Sequence, residues 1–173
     1  MTTPTPTTRH VTLRCQFCEA WNRVDSARFS DRPKCGACRK PMLLDRPVKL
    51  DDATFERTIA DAELPVVVDF YADWCGPCKA MAPAVDELAR ELAGQVLLAK
   101  LDTDRSPVTG QAYGIRSIPT VVRFTRSGSA CPLYSCAGRG SIVSASTGIC
   151  TSSRYSDVIM KTRILGKASM KLV

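Results

Sequence analysis

Nine of the 173 residues are cysteines, and six of them fall into three Cys-x-x-Cys pairs: Cys15/Cys18, Cys35/Cys38 and Cys75/Cys78. Cys131, Cys136 and Cys150 follow no pattern. Two knuckles divided by sixteen residues can turn four thiolates toward one ion, and four thiolates suit tetrahedral Zn²⁺. Four sulfurs close the coordination shell and leave no position for water. The spacing of Cys15, Cys18, Cys35 and Cys38 therefore predicts one structural zinc per chain rather than a catalytic one. Two redox-active pairs, or four idle thiols, are the other readings of the same cysteines. Gly36 is expected to ease the second knuckle's turn, and His10 is surplus to a filled four-sulfur site.

The third pair has a different setting. Trp74-Cys75-Gly76-Pro77-Cys78-Lys79 follows the β-branched run Val66–Tyr71 and precedes a helical pattern. Cys75 then falls at a helix N-terminus, where orphan N–H groups and the helix dipole favour a thiolate. The thiolate is the form that attacks disulfides. Cys78, one turn on, is expected to be less exposed yet near enough to resolve a mixed disulfide. Pro77 suits a first helical turn, and Gly76 lets a substrate backbone come close. Asp69 interrupts the apolar run, where a carboxylate is costly and its pKa should rise. The plainer alternative for Asp69 is a carboxylate exposed at the strand end.

Several elements must position these groups. Val48–Leu50 reads as a short strand. Asp51 or Asp52 can cap a helix whose apolar face holds Phe55, Ile59 and Ala62, ended by Pro65. Val66–Tyr71 reads as a strand buried on both faces. Met81, Val85, Leu88, Ala89 and Leu92 recur at helical spacing, with Pro83 as a kink and Gly94 as the stop. Residues 96–101 read as a strand, 107–113 as a short helix and Thr120–Phe124 as a strand. The order predicts a mixed α/β sheet covered on both faces. Residues 11–46 show little periodicity and are too few to fold without a staple such as zinc. The dithiol domain is expected to have a core independent of them.

The division that follows is a disordered leader (1–10), a zinc ribbon (11–46), an α/β domain (47–128) and a divergent tail (129–173). Pro132 permits a strand at 130–137 only at a sheet edge, and Ser156 or Asp157 can cap a ragged helix over 158–165. A divergent folded ending and an out-of-frame tail remain two readings of that segment.

The run Val67-Val68-Asp69-Phe70-Tyr71-Ala72-Asp73-Trp74-Cys75-Gly76-Pro77-Cys78-Lys79 resembles the active-site segment of the thioredoxin family. Ala82-Pro83 resembles that family's helix-kinking proline, and Lys100-Leu101-Asp102 its following strand. Tyr113-Gly114-Ile115-Arg116-Ser117-Ile118-Pro119-Thr120 resembles its cis-proline loop. With the four-cysteine head, residues 11–128 are similar to bacterial thioredoxins that carry an N-terminal zinc module. The resemblance implies a thioredoxin-like mixed sheet flanked by helices, and reduction of protein disulfides through Cys75 and Cys78. It implies that Asp69 helps deprotonate Cys78, that Lys100 lies near Asp69, and that Trp74, Gly76, Pro77, Ile118 and a cis Pro119 meet the substrate. A solvated Lys100 and a core Trp74 are the plainer readings. It also implies electrons from a flavin- and NADPH-dependent thioredoxin reductase, with no bound organic cofactor.

Composition bounds the rest. The net charge is +7, with ten basic against four acidic residues in 1–50 but eight against twelve in 51–128. Four zinc-bound thiolates would lower the first figure, so the charge footprint argues against nucleic acid as the partner. No apolar run approaches the roughly 18 residues of a membrane span. The first ten residues lack a secretion signal's apolar core, so a cytoplasmic location is expected, and there nine cysteines argue against a structural disulfide framework, because reducing compartments keep thiols free. Two rival functions remain: a redox-regulated zinc-binding chaperone or adaptor with little turnover, and a nucleic-acid-binding ribbon on an idle fold.

Overall fold

The computed structural model describes residues 9–126 and 130–135. Strands β1 (His10–Arg14) and β2 (Trp21–Asp25) form an antiparallel hairpin, with His10 opposite Asp25 and Arg14 opposite Trp21. Val11 and Leu13 point inward from β1 and Val24 from β2. This alternation is a genuine period-2 signal, but a run of five residues is too short to stand out from its surroundings. A 3-10 turn over Ser26–Asp31 follows, opened by the Asp25 carboxylate, which accepts from the Ala27 N–H at 2.9 Å. The turn carries Phe29 into the core.

His10 thus belongs to a strand, not to a disordered leader. Its N–H donates to Glu63 Oε2 at 2.8 Å, and the Glu63 N–H donates back to the His10 carbonyl at 2.9 Å. Residues 1–8 lie outside the described residues.

The remaining elements are β3 (Val48–Leu50), α1 (Phe55–Asp61), β4 (Val66–Tyr71), α2 (Gly76–Glu91), β5 (Leu97–Asp102), α3 (Pro107–Ala112), β6 (Thr120–Phe124) and β7 (Ala130–Ser135). The sheet order is β3-β5-β4-β6-β7. The first three strands are parallel, β6 runs antiparallel to β4, and β7 runs antiparallel to β6. This is the mixed, helix-flanked sheet that the element order predicted, in the thioredoxin-like form that the resemblance implied.

Strand β4 sits centrally, which explains its apolar run. Val66, Val68 and Phe70 face one side, whereas Val67 joins Met81, Val85, Leu88, Ala89 and Leu92 of the α2 layer. On the first side Phe55, Phe70, Tyr113 and Phe124 form a ring cluster with centroids 5.0 to 6.4 Å apart.

The expectation of an independent core for the dithiol domain fails here. One continuous cluster runs from Val11, Leu13, Phe29, Met42 and Leu44 through Phe55 and Ile59 into Val66, Val68, Phe70 and Phe124. Burying such side chains is worth about 1.5–3 kcal/mol each, so the ribbon leans on the sheet domain for stability as well as on its cysteines. Arg57 of α1 lies over the Trp21 ring at 4.3 Å. Gly94, at φ +80°, lets the Ser26 carbonyl approach so closely that a Cβ would stand 2.6 Å from its oxygen.

The two aspartates before α1 serve different elements. Asp51 accepts from the Ala53 and Thr54 N–H groups at 3.1 and 2.9 Å and from Thr54 Oγ1. Asp52 instead reaches the start of α3, accepting from Val108 N–H, Thr109 N–H and Thr109 Oγ1. Strand β7 is the last strand of the described sheet, and Pro132 pairs opposite Val122 beside a register shift. That is where a residue without an N–H is tolerated. Cys131 lies in β7; Cys136, Cys150 and the helix expected near 158–165 lie outside the described residues.

Candidate active site and metal centre

The two ribbon knuckles are built alike. In each, the first cysteine's N–H donates to the carbonyl five residues on (Cys15 to Ala20, Cys35 to Lys40). Its own carbonyl accepts from the residue four on (Glu19, Arg39). The strained position is that fourth residue, since Glu19 and Arg39 have φ of 60° and 62°. Gly36, expected to make the turn, has an ordinary backbone and donates its N–H to Asn22 Oδ1 at 2.8 Å.

The Sγ atoms of Cys15, Cys18, Cys35 and Cys38 all lie within 4.8 Å of one another. Two of the separations, Cys15–Cys38 and Cys18–Cys35, are 3.7 Å. A tetrahedron with Zn–S bonds of about 2.3 Å has edges of roughly 3.8 Å, so the cysteines fit zinc. The Cys38 backbone N–H, assisted by Ala37 and the Asn22 side chain, holds Cys35 below the usual thiol range, at about 6. Cys18 has one lowering contact, the Ala20 backbone. The Cys38 sulfur, loss of hydration, and the sulfurs of Cys35 and Cys15 together outweigh it and push Cys18 to about 11. Four sulfurs this close cannot all ionise without a cation.

Between β4 and α2 the chain turns through Ala72–Cys75, with the Cys75 N–H bonded to the Ala72 carbonyl at 3.1 Å. Cys75 is the N-cap of α2, and its Sγ accepts from the Cys78 N–H at 3.1 Å. The two cysteines are joined as a disulfide. The expected difference in exposure between them is absent in this oxidised form, at 3% for Cys75 and 4% for Cys78. Trp74 is 71% exposed, and its indole N–H donates to Asp104 Oδ2 at 2.8 Å. Trp74, Cys75, Gly76, Pro77 and Ile118 line one groove of about 520 Å³. Pro119 follows Ile118 through a cis peptide bond and is buried, and it is not among the residues that line the groove.

On β4, the strand that leads into this turn, Asp69 is 2% exposed. It pairs in register with Lys100 of β5 and Val121 of β6 and shares the α2 face with Val67, Leu98 and Val121. Among the described residues its Oδ1 has no hydrogen-bond partner. Burial pushes the Asp69 carboxyl up to about 6; nearby Lys100 pulls it down and Asp86 pushes it up.

Comparison with known proteins gives these features a family. A family model described as Thioredoxin matches residues 46–144, and another, described as Thioredoxin 2, N-terminal, matches residues 14–40. The chain belongs to the thioredoxin family. Thioredoxin C-3 of Corynebacterium nephridii is 38% identical over 113 residues, covering 65% of this chain and 77% of that protein. A thioredoxin of Synechocystis sp. is 51% identical over 76 residues, 44% of this chain and 71% of that protein. The chloroplastic M-type thioredoxin of Chlamydomonas reinhardtii is 41% identical over 111 residues, 62% of this chain and 79% of that protein.

Membership makes the protein a thiol–disulfide oxidoreductase of the protein-disulfide reductase class. The family likeness also runs further than its motifs suggested, to residue 144 rather than 128. No helix among the described residues is long and apolar enough to cross a membrane.

Sequence reasoning left two kinds of residue out. Arg116, Ser117, Ile115 and Thr103 complete the groove wall. Three of them sit inside the quoted cis-proline motif and were legible there. Asp86 accepts a hydrogen bond from Lys100 Nζ at 3.2 Å, so the ammonium of Lys100 is engaged on α2 rather than on Asp69. Nothing in the linear spacing of Asp86 and Lys100 marks that pair.

Proposed function

We propose that this thioredoxin-family chain reduces protein disulfides by exchange at Cys75 and Cys78, with one structural zinc held by Cys15, Cys18, Cys35 and Cys38. The observation that carries the reading is Cys75 at the N-cap of α2, on the lip of a groove that Trp74, Pro77 and Ile118 also line. In the reduced protein the Cys75 thiolate attacks one sulfur of a substrate disulfide. That bond breaks, a mixed disulfide forms, and the first substrate thiolate leaves and takes up a proton from solvent.

Cys78 then passes its proton to the Asp69 carboxylate and attacks the Cys75 sulfur. The Cys75–Cys78 disulfide closes, and the second substrate thiolate departs. Two electrons have moved from dithiol to substrate. A flavin- and NADPH-dependent thioredoxin reductase returns them, and no organic cofactor is bound. Gly76 and the cis Ile118–Pro119 segment admit an extended substrate backbone beside Cys75, and Trp74 covers its flank. Lys100 tunes Asp69. Zinc, when bound, neutralises the ribbon's thiolates, and its closed shell takes no part in the exchange. We take 10–46 as the ribbon, the chain from residue 47 through β7 as the described part of the catalytic domain, and the cytoplasm as the location.

The test is insulin-type disulfide reduction. Cys75→Ser should abolish turnover, and Cys78→Ser should accumulate a covalent mixed disulfide with the substrate. Normal turnover by Cys78→Ser, or no trapped adduct, would show that the roles are wrong.

A further inference from the structure

The face under α2 holds one contact, from Lys100 to Asp86, that the exchange chemistry above does not use. Lys49, Lys100 and Asp69 stand in register across β3, β5 and β4. Lys100 is therefore the cation nearest to hand for the Asp69 carboxylate. Its side chain is largely covered, and its ammonium nevertheless donates at 3.2 Å to Asp86 Oδ1 on α2. Asp69 Oδ1 is left without a hydrogen-bond partner among the described residues.

A buried carboxylate next to a lysine ordinarily takes the lysine's hydrogen bond, because an opposite charge offsets desolvation. Here a half-exposed carboxylate has taken it instead. Asp86 keeps much of its own hydration, so the Lys100–Asp86 pair costs less desolvation than a fully buried Lys100–Asp69 pair would.

We infer that Asp86 is a positioning residue for the dithiol chemistry: by holding the Lys100 ammonium on helix α2, it leaves the Asp69 carboxyl free to receive the Cys78 proton. This rests on the exchange reading above. Among the described residues, the other charged or titratable groups around Asp69 are few. Tyr71 lies on its own strand, and Arg123 of β6 lies on the same face, opposite Val67. Lys49 of β3 lies beyond Lys100, and the buried start of α2 carries the Cys75–Cys78 disulfide. Among these groups, Lys100 is both adjacent in the sheet and tied elsewhere by a hydrogen bond from its ammonium.

The sign follows from the two charges. Removing the Asp86 charge deletes one repulsion on the Asp69 carboxylate and releases a cation toward it. Both favour the ionised form, so Asp69 should give up its proton at lower pH and become a weaker base.

The experiment follows the Asp69 carboxyl by carbon-13 NMR in the zinc-loaded full chain, identified by its loss in Asp69→Asn, alongside the pH profile of disulfide reduction. In Asp86→Asn the carboxyl midpoint should fall by about one pH unit, and the acidic limb of turnover should fall with it. Asp86→Glu should restore both. With Lys100→Met in place, Asp86→Asn should move the midpoint by less than half as much, because the released cation is gone. An unmoved midpoint in Asp86→Asn, a shift undiminished by Lys100→Met, or a midpoint that moves without the turnover limb would each overturn the inference. Failure of the exchange reading is told apart by Cys75→Ser, which would then keep its turnover whatever the carboxyl does.

Discussion

Asp69 shows how one side chain sets stability against chemistry. Its folded pKa stands near 6, whereas an unfolded Asp titrates near 3.9. The native state therefore holds the proton more tightly than the unfolded chain. Stability falls as pH rises from about 4 through about 6, and the deficit persists at neutral pH. That difference between the folded and unfolded carboxyl corresponds to roughly 2–3 kcal/mol. Asp69→Asn should accordingly raise the melting temperature at pH 7 and lose that gain at pH 4. It should also slow resolution of the mixed disulfide by roughly 10²-fold. Calorimetry at the two pH values, paired with the lifetime of the adduct, checks this. A variant that is no more stable at pH 7 would show that burial does not strain the ionised carboxylate.

At the scale of elements, what joins the ribbon to the sheet domain is a set of close approaches rather than a linker. Glu63 is central: the His10 N–H, its first cause, and then the His10 ring and Arg23 hold its carboxyl below the usual range. Gly94 is the tightest point, being both left-handed and in contact with the Ser26 carbonyl. Gly94→Ala should destabilise the protein by about 1–2 kcal/mol or more, because the new Cβ meets backbone and the φ is unfavourable. Chemical denaturation reads that loss, and an unchanged midpoint would mean that the Ser26 turn can move away freely. Asp52→Ala should lower the melting temperature by a few degrees through the uncapped start of α3. Because its neighbours hold the Asp52 pKa below the ordinary value, the Thr109 hydroxyl first, its contribution is present above that value and lost as the pH falls through the lowered one.

Of the two apolar clusters among the described residues, the one that holds the ring cluster crosses from ribbon to sheet. Metal loss should therefore be felt everywhere. Chelation, or Cys35→Ser, should lower the melting temperature of the entire chain in a single transition. A catalytic domain insulated from the ribbon would instead keep its own transition while the ribbon melted separately. Zinc content should drop from about one per chain in that variant and stay unchanged in Cys75→Ser. Two separate transitions, or a dithiol domain whose melting ignores the metal, would contradict a shared core.

Spacing and local pattern were enough for much of this. Strands β3, β4 and β6 were legible to the residue, because short apolar runs between turn residues have few alternatives, and the α2 face was legible because five buried positions recur at helical period. The four-cysteine centre and the dithiol were equally plain, since both depend on two-residue spacings that are local by nature. Tertiary structure alone decided the rest. It took Asp52 to α3 and His10 to Glu63, and it fused the ribbon core with the sheet core. It tied Lys100 to Asp86 instead of its sheet neighbour. Each of these joins residues from different elements, and their meeting is set by how the layers pack, which no local period encodes.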